Sequence, residues 1–167
     1  MIQSIVSFWF YTKFGADLST LSYIFTMAGI LTAMSYLLAN KIASKIGLVN
    51  TMIYTHIPSN ILLILVAFAP SFPLAVGLYF ARMSISQMDV PTRQSYLMAV
   101  VNENERVTAA GITNTSRNIA QSVGPSFAGA IMGSLLSAPF IIGGVLKLAY
   151  DIGIFLNFRK IKPPEEL

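Results

Sequence analysis

The sequence predicts an all-α integral membrane protein with about five full transmembrane helices and one half helix. The first observation behind this prediction is composition, because 54% of the 167 residues are hydrophobic and only 11% are charged. Soluble domains carry about 25% charged residues, so this chain has too few for a surface in water. The second is a mean hydropathy of +0.66. The third is that the apolar residues form stretches of about twenty, the helical length that crosses a bilayer.

Hydropathy along the chain separates one partial span from five full spans. The partial span, residues 1–11, covers only about 16 Å of helix, roughly half a bilayer. It indicates the end of a helix or a helix that packs against others. Short polar or proline-containing turns separate the spans, among them a basic loop at residues 41–47. The full spans are residues 18–40, 48–69, 74–101, 106–132 and 140–158, followed by a polar tail at residues 159–167.

Residues that start or bend helices accompany these spans. Asp17 or Ser19 is expected to act as the N-cap of the first full span. Asn102 and Glu105 have the spacing of a capping box, in which each side chain accepts from a backbone N–H near the other. A proline inside a helix removes a backbone hydrogen bond and favours a bend, which predicts kinks at Pro58, Pro91 and Pro125.

The basic residues outside the spans predict the topology. If successive loops alternate sides, Lys13 is the only basic residue on its side. By the positive-inside rule the opposite side, with the loop 41–47 and the C-terminal tail, is cytoplasmic in a multi-pass plasma-membrane protein. The net charge of +4 then indicates contact with the lipid bilayer rather than with nucleic acid. The residues on the cytoplasmic side are Lys41, Lys45, Arg93, Arg106, Arg159, Lys160 and Lys162.

The span 106–132 carries a polar stripe near its middle. An arginine at membrane depth costs about 2.5–3.5 kcal/mol, so this face is expected to contact protein or water rather than lipid. The functional interpretation is a polar pathway through the membrane, and the alternative is a face that only fixes helix packing. The members lie three or four residues apart on one face of a helix: Asn114, Arg117, Asn118 and Gln121.

Other ionisable residues lie inside predicted spans. Arg82 and Asp89 are seven positions apart on nearly the same helical face, which indicates either a substrate or proton-coupling site or a structural pair. Lys147 and Asp151 lie one turn apart on a helix expected to face lipid, where they would neutralise each other. His56 has no carboxylate near it in sequence, so we expect a packed, hydrogen-bonded histidine rather than a proton switch.

Three parts of the sequence resemble the C-terminal half of a major facilitator superfamily transporter. Residues 40–47, Asn-Lys-Ile-Ala-Ser-Lys-Ile-Gly, resemble the basic cytoplasmic loop of the family, G-x-L-A-D-R-x-G-R, with Ser44 in place of the acid. Arg82, followed by Pro91 and Arg106, resembles the arginine-bearing helix and its cytoplasmic exit. Small residues in the next span fit the spacing of the family's glycine–proline motif: Gly111, Ala120, Gly124, Pro125, Ala128 and Gly129.

The resemblance covers essentially the whole chain and implies a half bundle, with residues 1–11 as the outer end of its first helix. It implies a substrate cavity between this half and an N-terminal six-helix half that is missing here. The helices starting at positions 1 and 74 would line the cavity, and those starting at 18 and 106 would form its sides. Those starting at 48 and 140 would support the bundle from outside. Gating or packing roles are implied for Lys41, Lys45, Gly47, Gly111, Gly124, Pro125 and Gly129.

The resemblance also implies secondary active transport of a small solute by alternating access. The two positive charges of Arg82 and Arg117 exceed the one negative charge near them, that of Asp89. This excess favours an anion as the solute, and proton-coupled transport is the other expectation. The alternative is a truncated, non-transporting membrane remnant or an assembly partner. No nucleophile–base pair, metal-ligand spacing or cofactor fingerprint occurs in the sequence, so no enzyme activity, cofactor or metal is predicted. The candidate substrate or coupling residues are Arg82, Asp89, Asn114, Arg117 and Gln121.

Overall fold

The structure is a computed structural model that describes residues 2–88, 90, 94–95, 97–98 and 101–158. The α-helices identified in this part of the chain pack into one bundle. Their order is α1 (Ile2–Phe14), α2 (Leu18–Ile46), α3 (Leu48–Phe68), α4 (Phe72–Ile85), α5 (Arg106–Met132) and α6 (Ala138–Phe158).

The long helix α2 begins and ends at residues whose chemistry explains both boundaries. Asp17 is the N-cap, and its carboxylate accepts a hydrogen bond from the backbone N–H of Thr20 at 3.0 Å. This bond, with the backbone bond at the same residue, lowers the pKa of Asp17 below its ordinary value. At the other end Gly47 has a φ of +86°, a conformation that favours glycine.

The sequence predicts a loop at residues 41–47. This prediction is wrong up to Ile46, because α2 continues to that residue. No glycine or proline interrupts the stretch from Lys41 to Ile46, and lysine and alanine favour helix, so the helix ends only at Gly47. Lys41 and Lys45 are therefore exposed side chains on the last turns of α2. There they lie near the negative end of the helix dipole, which stabilises positive charge.

Helix α4 differs from the predicted span in both boundaries. It begins at Phe72, with Pro73 in the first turn, where a missing N–H costs no helical bond. It ends at Ile85, where the sequence predicts a kinked helix up to residue 101. Residues 86–88 form a turn, and the described positions 90, 94–95 and 97–98 beyond it are helical again. A proline at position 91 has no N–H for the carbonyl four residues earlier, so the helix is weakened ahead of the proline itself. Pro91 lies outside the described residues.

Helix α5 spans the residues expected, but the capping box ahead of it does not form. Residues Glu103–Glu105 make a short 3-10 helix, in which the N–H of Glu105 donates to the backbone carbonyl of Asn102 at 2.9 Å. That N–H is the donor that an Asn102 side chain would need, so the predicted side-chain bond is absent. Helix α5 passes through Pro125 without ending.

Aromatic rings fill the centre of one region of the bundle, named here the aromatic cluster. Neighbouring ring centroids in it lie 5.2–6.2 Å apart, most of them edge to face, an arrangement that aromatic pairs favour. The cluster joins α1, α4 and α6 and consists of Trp9, Phe10, Phe14, Phe72 and Phe140.

Polar side chains of α1 complete this region. Lys13 Nζ donates to the carbonyl oxygens of Ala67 at 3.3 Å and Ala69 at 3.0 Å. The last carbonyls of a helix lack donors within the helix, so this ammonium satisfies the end of α3. Lys13 Nζ also lies 4.7 Å from the ring centroid of Trp9, whose Nε1 donates to Ser137 Oγ at 3.0 Å.

Helices α3 and α6 form the closest helix pair. A Cβ added to Gly144 would lie 2.5 Å from Ile64 Cγ1 and 3.3 Å from the carbonyl oxygen of Asn60, so only glycine allows this approach. Helix α5 contacts mainly α1 and α6, and every residue from 111 to 123 is exposed. Helices α2, α3, α4 and α6 thus pack together beside α5, which is largely uncovered.

By length and hydropathy, one helix of the described chain, α2, is long and apolar enough to cross a membrane. Ile53–Phe68 and Phe72–Ile85 are shorter apolar helices. The five full spans expected from the sequence therefore stay a prediction.

Candidate functional site

A cavity of about 440 Å³ lies between α1, α3, α4, α5 and α6. Its volume falls in the range of small-molecule sites, about 300–1,000 Å³. Polar and charged side chains enter it from five helices, and we name it the basic cavity after them: Gln3, His56, Arg82, Arg117, Gln121 and Lys147.

Arg82 is the most deeply buried cation of this cavity. Its side chain lies on the last turn of α4 and is only 2% exposed. Its Nη1 lies 3.5 Å from the sulfur of Met83, a weak acceptor. Tyr79, one turn earlier, also lines the cavity. Burial of a guanidinium among apolar helices is costly, so a residue in this position marks a functional site by default.

Arg117 and Gln121 enter the cavity from the opposite wall. They lie one turn apart on the exposed face of α5 and belong to the polar stripe expected from the sequence. The cavity thus brings together three of the substrate or coupling residues expected from the sequence, Arg82, Arg117 and Gln121. Asn114 is exposed and lies outside the lining, and Asp89 lies outside the described residues.

Two helices expected only to support the bundle from outside also line this cavity. α3 contributes His56, and α6 contributes Lys147 and Tyr150. The expectation of a lipid-facing pair on α6 is wrong, because Asp151 is only 4% exposed and packs against α3. The glycine at position 144 explains this, since it lets α6 approach α3 closely enough for polar side chains to meet.

His56 contacts a carboxylate on another helix, that of Asp151 on α6, which lies far from it in the sequence. His56 Nδ1 lies 2.6 Å from Asp151 Oδ1, and Asn60 Nδ2 donates to Asp151 Oδ2 at 2.7 Å. The expectation of a hydrogen-bonded histidine is confirmed, although its partner is across the helix interface. The spacing of His56 and Asn60, one turn apart in the polar half of a span, was the signal that could have found this site.

The electrostatic character of the cavity follows from these side chains. Arg82, Arg117 and Lys147 line it together, and among the described lining residues none carries a carboxylate. Asp151, one turn from Lys147, accepts hydrogen bonds from α3. A low-dielectric cleft with several charges of one sign concentrates ions of the opposite sign. The arrangement is suited to holding a small anion and contains no bond-breaking machinery among the residues described.

The residues expected to gate or pack have separate positions. Lys41, Lys45 and Gly47 lie at the end of α2 and do not line the basic cavity. A Cβ added to Gly111 or Gly129 would meet nothing within 4 Å. No helix of the described chain therefore uses these two glycines for close approach, and their roles stay predictions.

Gly124 and Pro125, the other two packing candidates, are half-buried on α5. Gly124 lines a second, apolar cavity between α5 and α6. Its predicted role in helix packing is not tested by this position, and neither is the bend expected at Pro125.

A bundle of apolar helices around a polar, positively charged cavity is the arrangement of a membrane protein that binds solutes. The chain matches the Major Facilitator Superfamily over residues 1–167, its entire length, and it belongs to that superfamily. Members are multi-pass membrane proteins that transport small solutes, and they are not enzymes. No curated protein and no solved structure matches the chain.

Proposed function

We propose that this chain is the C-terminal half of a secondary active transporter that moves a small anion by alternating access. The observation that supports the proposal is the convergence of Arg82, Arg117 and Lys147 on one cavity. A cation inside an apolar bundle is tolerated where water or an opposite charge compensates it. Three cations that line one low-dielectric cavity concentrate anions there, and this favours a negatively charged solute over a neutral one.

The uncovered face of α5 supports the second part of the proposal, that a further six-helix half covers this one. Residues 111–123 are exposed throughout, and they include a run of polar side chains that lipid would not solvate. In the proposed complete transporter this face lines the interface between the halves. Arg117 then lies where the two halves meet, so movement of one half against the other changes its access to water.

Coupling to protons is part of the same proposal and is supported by ionisable side chains in the cavity wall. His56 lines the basic cavity, and its Nδ1 lies 2.6 Å from Oδ1 of Asp151. Chains of aspartate, glutamate and histidine inside membrane helices are typical of proton relays.

The length of α4 favours a second candidate, a membrane remnant that does not transport. Its 14 residues reach about 21 Å, less than the hydrocarbon thickness of a bilayer. A remnant would have no reason to retain anion binding, so one binding experiment separates the two candidates.

The experiment measures the melting temperature of the detergent-solubilised chain in sodium chloride and in sodium phosphate, sulfate or acetate. A ligand at ten times its Kd stabilises the folded state by about 1.4 kcal/mol, a shift of a few degrees for a chain of this size. We expect at least one anion to raise the melting temperature of the wild type, and Arg117→Gln to lose most of that shift.

Arg106→Gln is the matched control, because Arg106 also lies on α5 but outside the basic cavity, 3.6 Å from Glu103. It is expected to keep the wild-type response. Equal responses of the two variants would remove Arg117 from the site. A wild type that no anion stabilises beyond chloride would support the remnant.

A further inference from the structure

A second cavity, of about 200 Å³, lies beside the basic cavity between α1, α3, α5 and α6. We name it the apolar cavity, because all but one of its described lining residues are apolar. Lys147 is the exception, and it lines both cavities. The lining of the apolar cavity includes Ile5, Leu63, Ala128, Phe140, Gly143 and Lys147.

The size of the apolar cavity limits what fits in it. An apolar cavity of about 150 Å³ in a protein interior is large enough to bind benzene. One aromatic ring or a short branched chain therefore fits here, whereas the two long acyl chains of a phospholipid do not. Because Lys147 borders both cavities, one small molecule placed beside it has access to the positive charges on one side and to the apolar walls on the other.

We propose that the solute is an amphipathic organic anion, namely a carboxylate with one aromatic or short branched apolar arm. The proposal rests on the proposed function, because it assigns the charged end of the solute to the basic cavity. The carboxylate lies between Lys147 and the arginines Arg82 and Arg117. The apolar arm extends past Lys147 between α5 and α6 and is covered by Ala128 and Phe140.

Two adjacent glycines of α6 allow the apolar cavity to be filled without moving the helix. A Cβ on Gly143 would meet nothing within 4 Å, whereas a Cβ on Gly144 would collide with Ile64. A side chain placed at position 143 therefore enters the cavity and leaves the α3–α6 contact intact. Gly153 also lies on α6 with nothing within 4 Å of an added Cβ, and it lines neither cavity.

The experiment compares the Kd values of radiolabelled acetate and phenylacetate for the detergent-solubilised 167-residue chain, by scintillation proximity. Burial of a phenyl-sized group is expected to make phenylacetate bind roughly ten- to hundredfold more tightly than acetate. Gly143→Leu should reduce that ratio to less than about threefold, and Gly153→Leu should keep it. Gly143→Ala fills less of the cavity and should give an intermediate ratio, so the test survives a leucine variant that fails to fold.

The outcomes separate the two proposals. Equal Kd values of acetate and phenylacetate in the wild type would overturn the amphipathic solute and leave the anion transporter standing. A phenylacetate preference that persists in Gly143→Leu would place the arm elsewhere, in detergent or at another surface, and would also overturn the inference. If neither carboxylate binds but phosphate or sulfate stabilises the chain, the inference fails and the anion transporter stands. If no anion binds, both proposals fail.

Discussion

The aromatic cluster and the basic cavity are built on some of the same helices, yet their side chains differ in chemistry. In the aromatic cluster the rings of Trp9 and Phe10 are fully buried, and the polar atoms there are hydrogen-bonded at helix ends. Around the basic cavity, three cationic side chains, those of Arg82, Arg117 and Lys147, line one opening. Tyr79 lies between the two regions, since its ring centroid is 6.2 Å from that of Phe10 and its side chain also lines the basic cavity.

The difference indicates where the stability of the bundle comes from. Close ring packing and satisfied helix ends lower the free energy of the folded state. Cations gathered in a cavity raise it, because like charges repel and lose hydration. Substitutions in the aromatic cluster should therefore affect folding, whereas substitutions at cavity cations should affect binding. Three measurements of folding test this difference, and they are given in order of decreasing effect.

Removal of the central ring should have the largest effect. Trp9→Ala leaves a hole beside three other rings and removes the donor to Ser137, and we expect a loss of about 3–5 kcal/mol in the free energy of unfolding. Tyr11→Ala is the control on the same helix, because Tyr11 is 64% exposed. It should change the free energy of unfolding by less than about 0.5 kcal/mol. Reversible unfolding in mixed micelles gives both values, and similar losses would show that the cluster is not the stable region.

Loss of the carboxylate between α3 and α6 should have an intermediate effect. Asp151→Ala removes the acceptor of Asn60 and the partner of His56, and we expect a loss of about 2 kcal/mol in unfolding free energy. A double-mutant cycle with His56→Ala should give a coupling energy of about 1 kcal/mol.

The control for this cycle pairs Asp151→Ala with Thr113→Ala, an exposed residue of α5 whose hydroxyl bonds only its own helix at 2.8 Å. Its coupling energy should be near zero. A coupling energy near zero for His56 and Asp151 as well would mean that their short contact contributes nothing to folding.

The N-cap of α2 should have the smallest effect, and that effect depends on pH. Because the folded state lowers the pKa of Asp17 from its ordinary value of 3.8, the ionised cap stabilises the fold above that pH. The stabilisation is lost as the pH falls below it, since protonation is then coupled to unfolding.

Melting temperatures of wild type and Asp17→Asn should therefore differ at pH 6 and converge towards pH 3. Ser22→Ala, which removes a hydroxyl that does not titrate from the next turn, should shift the melting temperature equally at both pH values. A difference between wild type and Asp17→Asn that is the same at pH 3 and pH 6 would contradict the cap.

Local chemistry made some elements predictable and tertiary packing decided the rest. The bounds of α5 follow from hydropathy and agree with residues 106–132. The end of α2 differs from the prediction, because the lysines at positions 41 and 45 suggest a loop. Lysine and alanine favour helix, and no glycine or proline occurs before Gly47, so the helix continues to Ile46. The end of α4 at Ile85 lies six residues before Pro91, whereas the sequence predicts one kinked helix through both.

The site was predictable to the same extent. Cations inside apolar spans pointed to Arg82, Arg117 and their neighbour Gln121, which the basic cavity brings together. The contact of His56 with Asp151 joins positions 95 residues apart, and periodicity within one helix contains no information about it. The position of Lys147 in the cavity lining is not predictable from the sequence for the same reason. It depends on which face of α6 packs against α3, and the close approach at Gly144 determines this face.

The hydrogen bonds of Lys13 have a consequence for the surroundings of the protein. Its ammonium is engaged by two carbonyl oxygens and by the ring of Trp9, so it is largely unavailable to phosphate groups of phospholipids. The exposed ammonium groups of Lys41 and Lys45 lie at the far end of α2, about 40 Å away along that helix. A change from zwitterionic to anionic lipids should thus affect this far end of the bundle and leave the aromatic cluster nearly unaffected.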